Sequence, residues 1–258
     1  MPLNIIICIK AVVLEAPDGK VIRTSETCAL NPFDRPAIEM AIRLRDEAGG
    51  TVTAVSMGPE SGSLALYEAL AMGVDHVVLV SDPSLAGSDT FATSTVLSAA
   101  IRKLAPFDLL LFGTRTSDSD TGQVGPQTSV LLDIPLVTGV TAVTRKKANF
   151  IVERKIDEFI EEYEVALPGA LTIHASALQP RDASLMGLET AYGQEQFTLM
   201  TLKDLDILAE QVGDNGSPTK IINMQRIQKK RKCEMIQGSV EEQAEELVRR
   251  LKEAGHIG

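Results

Sequence analysis

The stretch DLLLFGTRTSDSDTGQVGPQ, residues 108–127, reads as a strand, a polar loop and the start of a helix. Residues 108–112 form a continuous apolar run, too short for a helix and suited to a strand buried on both faces. The loop is rich in Gly, Ser, Thr and Asp, and helical spacing takes over near residues 123–132. The same alternation recurs upstream. Strands are predicted at residues 4–9, 51–56 and 76–80, and helices at 36–47, 61–71 and 88–104, the second helix stopped by Gly73. Strands alternating with helices imply a doubly wound, mostly parallel α/β sheet with right-handed crossovers. A ligand in such a sheet lies beyond the carboxyl ends of the strands.

After Asp133 the pattern changes. Short, partly alternating runs at 137–143, 150–155 and 159–165 predict an antiparallel excursion at about 137–166, before a last strand at 171–174. From 178 to about 232 the sequence is polar and irregular, which reads as a functional loop or an arm reaching across a partner. Ser239-x-x-Glu242 is a capping box opening an amphipathic helix with Val240, Ala244, Leu247, Val248 and Leu251 on one face. The expected organisation is an α/β nucleotide-binding domain over 1–177 and, over 178–258, an extended recognition loop, a partner-contacting arm and the C-terminal helix.

The bulk properties narrow the function. Of 258 residues 44% are apolar, yet aromatics make up 4% and Trp is absent, so Val, Ile, Leu and Ala must build the core. A net charge of −10 argues against a nucleic-acid surface, which needs clustered positive charge. The basic run Lys229-Lys230-Arg231-Lys232 reads as a solvated stretch or a partner contact. Cys8, Cys28 and Cys233 are far apart, offer no zinc spacing or disulfide framework, and suit a reducing compartment. The expectation is a cytoplasmic protein without membrane insertion, since no apolar run is long enough to span a bilayer.

Two loops carry candidate chemistry. In the loop from Gly113, backbone amides at the following helix start can hold phosphate, Gly122 and Gly125 permit close approach, and Ser119 and Thr121 add hydroxyls. Asp118 and Asp120 can cap the helix or hold the loop. The segment is neither a Walker A loop nor GxGxxG, and a plain Gly/Ser/Asp turn capping a helix explains it equally well. Asp89 can likewise simply cap the helix at 88–104, or the hydroxyls of Thr90, Thr93 and Ser94 can bond a heterocycle lying over that helix start.

In order and spacing, the chain resembles the beta subunits of electron-transfer flavoproteins. The resembling stretches are Cys8-Ile9-Lys10, Asn31-Pro32-Phe33-Asp34, Ser56-Met57-Gly58-Pro59, Ala69-Leu70-Ala71-Met72-Gly73, the loop 118–127, Val152-Glu153-Arg154-Lys155-Ile156-Asp157, Leu167-Pro168, Pro180-Arg181, Gly216-Ser217-Pro218-Thr219 and the terminal helix. The resemblance implies a Rossmann-like fold and a heterodimer with an alpha subunit that carries the electron-transferring FAD. It also implies a nucleotide on this chain, lined by Cys8, Asn31, Pro32, Phe33, Asp34, Met57, Gly113, Asp118, Ser119, Asp120, Thr121, Gly122, Gln123 and Val124. One branch of the family holds AMP there as a structural ligand. The other holds a second FAD and, in its bifurcating members, accepts hydride from NADH. The Asp-x-Asp-Thr-x-Gln-Val-Gly-Pro form and the Asp89-Thr90-x-Ala92-Thr93-Ser94 helix start resemble the FAD branch, which makes Thr90 and Thr93 flavin contacts.

Four departures stand out. Thr114 follows Gly113 where the family commonly has a basic residue, and Arg115 comes one place later. Asp157-Glu158-Phe159 replaces Asp-Gly-Gly, inside a segment bearing the carboxylates Asp157, Glu158, Glu161, Glu162 and Glu164. The first loop, 11–23, is shortened. The stretch the family offers to client dehydrogenases keeps Leu185 as an apolar anchor but lacks the usual lysines.

Overall fold

The computed structural model describes residues 2–13, 24, 26–146, 149–193, 197–222 and 233–257. The basic run Lys229–Lys232 and residues 14–23 of the shortened first loop lie outside them. The chain divides into two units, Met1–Ile222 and Asn223–Gly258.

The first unit begins with β1 (Leu3–Cys8) and the short pair β2 (Ala11–Val13) and β3 (Cys28–Leu30), followed by α1 (Arg35–Ala48), β4 (Gly50–Met57), α2 (Leu64–Met72) and β5 (His76–Val80). Next come α3 (Thr90–Lys103), β6 (Leu109–Gly113), α4 (Val124–Leu132), β7 (Leu136–Lys146), β8 (Asn149–Ile156), β9 (Phe159–Val165) and β10 (Gly169–Ile173). It ends with α5 (Leu185–Gly193), β11 (Phe197–Met200) and the single turn α6 (Gly213–Gly216). Among the described residues, nine strands make one sheet in the order β11-β5-β4-β1-β6-β10-β7-β8-β9. Pairing is parallel from β11 to β7 and antiparallel from β7 to β9. The doubly wound α/β architecture with an antiparallel excursion is therefore as the sequence predicts.

Two-residue periodicity builds two cores. Side chains alternate across a strand, so a strand apolar at every position feeds both faces of the sheet. Ile5 and Ile7 of β1, Leu109 and Leu111 of β6, and Val77 and Leu79 of β5 join the core under α1 and α2. Ile6 and Cys8, Leu110 and Phe112, and Val78 and Val80 join the other, under α3 and α4. Helix ends follow local chemistry: α2 stops at Gly73 with φ 114°, and the side chain of Asp89 caps α3.

Residues 178–222, irregular by sequence, supply α5, β11 and α6 to this unit. β11 pairs in parallel with β5, from Phe197↔Val77 to Met200↔Val80. Its four residues lie at the sheet edge and none is fully buried, so they lack the apolar run that reveals an interior strand. The pair β2–β3 escaped sequence reading for the same reason of length. In the second unit α7 (Val240–Glu253) starts with the expected capping box, Ser239 Oγ accepting from the Glu242 N–H and Glu242 Oε2 accepting from the Ser239 N–H. No helix among the described residues is long and apolar enough to cross a membrane.

Strand β1 is where the winding reverses: β4 and β5 are added on one side of it, and β6 on the other. The exits of β1 and β6 are therefore where an open α/β sheet forms its ligand crevice. Leu111, fully buried between β1 and β10, holds that centre together. Replacing it with Ala is expected to cost about 2–5 kcal/mol in urea unfolding. Val130→Ala, at a position 78% exposed on α4, is expected to change stability by less than about 0.5 kcal/mol.

Candidate functional site

At the β1/β6 crevice the turn from Asn31 to Asp34 acts as a bracket. The Asn31 N–H donates to the Lys10 carbonyl at 3.0 Å, extending the β2–β3 ladder. Its side-chain amide donates to Asp34 Oδ1 at 2.9 Å and to the Arg115 carbonyl at 2.8 Å, while its Oδ1 accepts the Ser117 N–H at 3.2 Å. Asp34 stands at the N-cap of α1 yet makes no side-chain cap. Its carboxylate turns back instead and accepts the Lys10 N–H at 2.8 Å. Burial pushes the Asp34 carboxyl up to about 7, against the pull of hydrogen bonds from Lys10 and Asn31, the Lys10 ammonium and the Gly113 backbone. Gly113 is required here, because a Cβ would lie 2.4 Å from Asp34 Oδ1 and 2.5 Å from the Phe33 carbonyl oxygen.

The loop after β6 is held over this bracket. Lys10 Nζ pairs with Asp118 at 2.8 Å, and Arg115 pairs with Asp120 at 3.3 Å. The Arg115 guanidinium also lies 4.5 Å above the Phe33 ring, a cation–π contact. Ser119 Oγ meets Thr116 Oγ1 at 2.8 Å. The loop turns back through Asp120 (φ 53°) and Gly122 (φ 63°), where a Cβ would sit 3.0 Å from the Thr114 carbonyl oxygen. It then enters α4 at Gln123, whose side chain makes no capping bond, so the first-turn amides at Val124 and Gly125 have no side-chain cap. The two aspartates would repel an anion if unpaired. Each has a cation beside it.

The start of α3 lies beside the start of α4. Thr90 Oγ1 contacts Gln123 Oε1 at 3.2 Å, and Ser94 Oγ reaches the Val124 carbonyl and the Gln127 side chain. Asp89 accepts the Ala92 N–H as a helix cap and the Thr219 N–H as well, each at 2.9 Å. In return the Asp89 N–H donates to Ser217 Oγ at 2.8 Å. Capping is thus what Asp89 does here, and it also ties down the segment 217–219. The depressed pKa of its carboxyl reflects these backbone bonds acting against desolvation. Thr93, part-buried one turn into α3, donates its N–H to the Asp89 carbonyl.

The structure thus brings together Asn31, Phe33, Asp34, Gly113, Asp118, Ser119 and Asp120, and sets Thr90 against Gln123 at the start of α4. Pro32, Thr121 and Gln123 are exposed along the loops. Cys8 lies buried in the core under α3 and α4, and burial with nearby Asp34 raises its thiol pKa, which keeps the thiol neutral. Met57 borders a narrow crevice with Ala11, Gly58, Pro59 and Gly62. Leu185, 87% exposed, opens α5, which packs on α2. Sequence reading left Lys10 out of the site and noted Arg115 only as a displaced basic residue of the loop. The available signal was a cation placed directly after a buried strand and another inside an acidic loop.

Asp34→Ala would strand the Lys10 N–H and the Asn31 amide in a buried place, at an expected cost of about 2–4 kcal/mol. The sign with pH follows from the raised pKa. Asp34 stays protonated in the folded chain up to about 7, whereas an unfolded Asp ionises near 4. Its stabilising contribution is therefore complete below the unfolded value and declines as pH rises through about 7. The gap between wild type and Asp34→Ala in urea midpoint should be wider at about pH 5.5 than at about pH 8.5; a gap that widens with pH would contradict this.

Comparison with known proteins gives the family. Residues 18–195 match the electron transfer flavoprotein domain. The chain is 38% identical over 255 residues to the electron transfer flavoprotein subunit beta of Thermoanaerobacterium thermosaccharolyticum, covering 96% of this chain and 98% of the relative. It is 37% identical to the acryloyl-CoA reductase electron transfer subunit gamma of Anaerotignum propionicum, over 96% of this chain and 98% of that one. It is also 37% identical to the caffeyl-CoA reductase-Etf complex subunit CarD of Acetobacterium woodii, over 97% and 98%. The chain belongs to the electron transfer flavoprotein family and is related over nearly its whole length to that family's beta subunits.

Proposed function

We propose that this chain is the beta subunit of a cytoplasmic heterodimeric electron-transfer flavoprotein and binds an FAD of its own at the β1/β6 crevice. In that reading it relays electrons between NADH or an acyl-CoA-type dehydrogenase and downstream acceptors. The companion alpha subunit carries the other flavin. The carrying observation is the pairing of both loop aspartates with cations beside the uncapped start of α4.

That donor set suits a dinucleotide diphosphate. The Val124 and Gly125 amides, with the hydroxyls of Ser119 and Thr121, supply neutral donors at the positive end of the helix dipole. Lys10 and Arg115 cancel the loop's own negative charge, so a bound anion meets a neutral to positive surface. Gly122 lets the backbone fold close without a side chain in the way. Thr90 and Thr93, at the neighbouring helix start, are placed to bond a ring system extending from that diphosphate. When bound, the flavin supplies the redox chemistry. The chain's part is to hold it, orient it, and set the charge around it.

Two names among the relatives contain a CoA-thioester reductase. That supports a client of the acyl-CoA dehydrogenase type for this chain also. Leu185 is its proposed apolar contact, presented by the segment from 178 onwards, which we read as the recognition part of the chain.

Denaturing the purified heterodimer and counting released nucleotide is the direct test. Two FAD per heterodimer are expected; one FAD and one AMP would replace the redox role of this chain with a structural one. Gly122→Leu is expected to strip the beta-chain nucleotide while leaving the alpha-chain flavin, with stability lowered by about 1–3 kcal/mol for the strained left-handed site. Full nucleotide content in that variant would move the phosphate site elsewhere. Anaerobic titration with NADH should bleach the flavin if NADH is the donor.

A further inference from the structure

We propose that the tip of the β8–β9 hairpin is a docking element that inserts into an apolar depression, rimmed by lysine and arginine, on the companion alpha subunit. The inference rests on the heterodimer of the preceding section, but not on which nucleotide the chain binds.

The hairpin closes the sheet, with β9 as its edge strand. Register places Phe150 opposite Val165, Val152 opposite Tyr163, Arg154 opposite Glu161 and Ile156 opposite Phe159, all on one face. At the base that face is core: Phe150, Val152 and Val165 are buried. Farther out it leaves the core. Tyr163 and Ile156 are exposed, and Phe159 and Ile160, on opposite faces, are each 72% exposed. An apolar tip bare on both faces suits a cavity that closes around it rather than a flat surface laid against one side.

The stalk beneath this tip is braced. Arg154 Nε bonds Glu161 at 2.6 Å, the Tyr163 hydroxyl bonds the same carboxylate at 2.9 Å, and the Arg154 guanidinium lies 5.1 Å from the Tyr163 ring centre. These contacts favour one cross-strand arrangement of the stalk, which lowers the entropy cost of docking.

Charge defines the partner. Asp157 and Glu158 lie in the turn before Phe159, and Glu162 lies on the face of Ile160, where register also sets Lys155 opposite Ile160; among the described residues none of the three acids forms an ion pair, and they outnumber that lysine. A complementary surface must carry cations around an apolar hollow. A second copy of this chain fits poorly, because edge-to-edge pairing of β9 would bring Glu161, Glu162 and Glu164 together. Leu185, the proposed client contact, and its exposed neighbour Met186 sit on α5, which packs on α2 towards the β4–β5 side of the sheet. The hairpin occupies the other edge, leaving one flank for each partner.

Two variants test this in the co-expressed heterodimer: Phe159→Ser with Ile160→Thr, and Glu158→Lys with Glu162→Lys. Both alter exposed side chains, and folding is checked by circular dichroism and by beta-chain nucleotide content, which should match wild type. The apolar variant is expected to weaken assembly about tenfold or more. The charge variant should slow association, by a factor that shrinks as salt is raised. A wild-type heterodimer indifferent to both variants overturns the inference alone. Loss only of beta-chain self-association in the apolar variant overturns it in favour of a second copy. A wild-type chain that forms no heterodimer overturns the inference together with the heterodimer on which it rests.

Discussion

The buried carboxylate of Asp34 is the contact on which the centre of this molecule depends. Where β1 and β6 end, the chain must leave a sheet packed on both faces, and the first free backbone groups meet an environment with little water. Asp34 takes the Lys10 N–H there, and Asn31 takes the Ser117 N–H while donating to the Arg115 carbonyl. Unmet, each such group would cost more than its bond is worth when made. A carboxylate at an N-cap ordinarily serves its own helix. Here it serves the neighbouring strand exits, and α1 begins with Pro36 in its first turn to limit the amides left without partners.

From this bracket the charge arrangement of the loop follows. Lys10 is placed by the backbone bond to Asp34, and Arg115 by its carbonyl bond to Asn31 and its stacking on Phe33. Those two cations then neutralise Asp118 and Asp120. Lys10 and Asp118 come from the exits of β1 and β6, whereas Arg115 and Asp120 share one loop. Exposed pairs of this kind add little to stability. Their effect is local: they turn an acidic loop, in a chain of net charge −10, into a surface an anion can approach.

Much of this was legible in the sequence, and the rest failed for definable reasons. Interior strands such as β1, β5 and β6 announce themselves because every residue must be apolar when both faces are covered. The excursion β7–β9 was visible from its change of period. Short edge strands carry no such signal, and β11 finds its partner β5 more than a hundred residues upstream, a pairing no local pattern encodes. In the site, Asn31, Asp34 and Gly113 were named through resemblance, but their bonding was not readable. Asp34 reads as a lining residue by resemblance, while the bonds of its carboxyl to the Lys10 N–H and the Asn31 amide are set by the fold. The Asp89–Thr219 contact shows the same limit, since a cap is visible in sequence and its second, distant acceptor role is not.

The site and the fold are consequently hard to separate. The amides of α4 belong to a local turn and would exist in any helix start. The conditions that make them usable for an anion do not: Lys10 comes from the exit of β1, Phe33 from the turn before α1, and the segment 217–219 closes on α3 from far along the chain. An unfolded chain therefore presents the same loop as a net acidic stretch, and only assembly of the sheet, which brings Lys10 to Asp118, cancels that charge. A ligand held here binds the folded form alone, so its binding energy adds to the stability of the fold by mass action. With the nucleotide proposed above bound there, the loop after β6 is a point where its loading and correct folding report on each other.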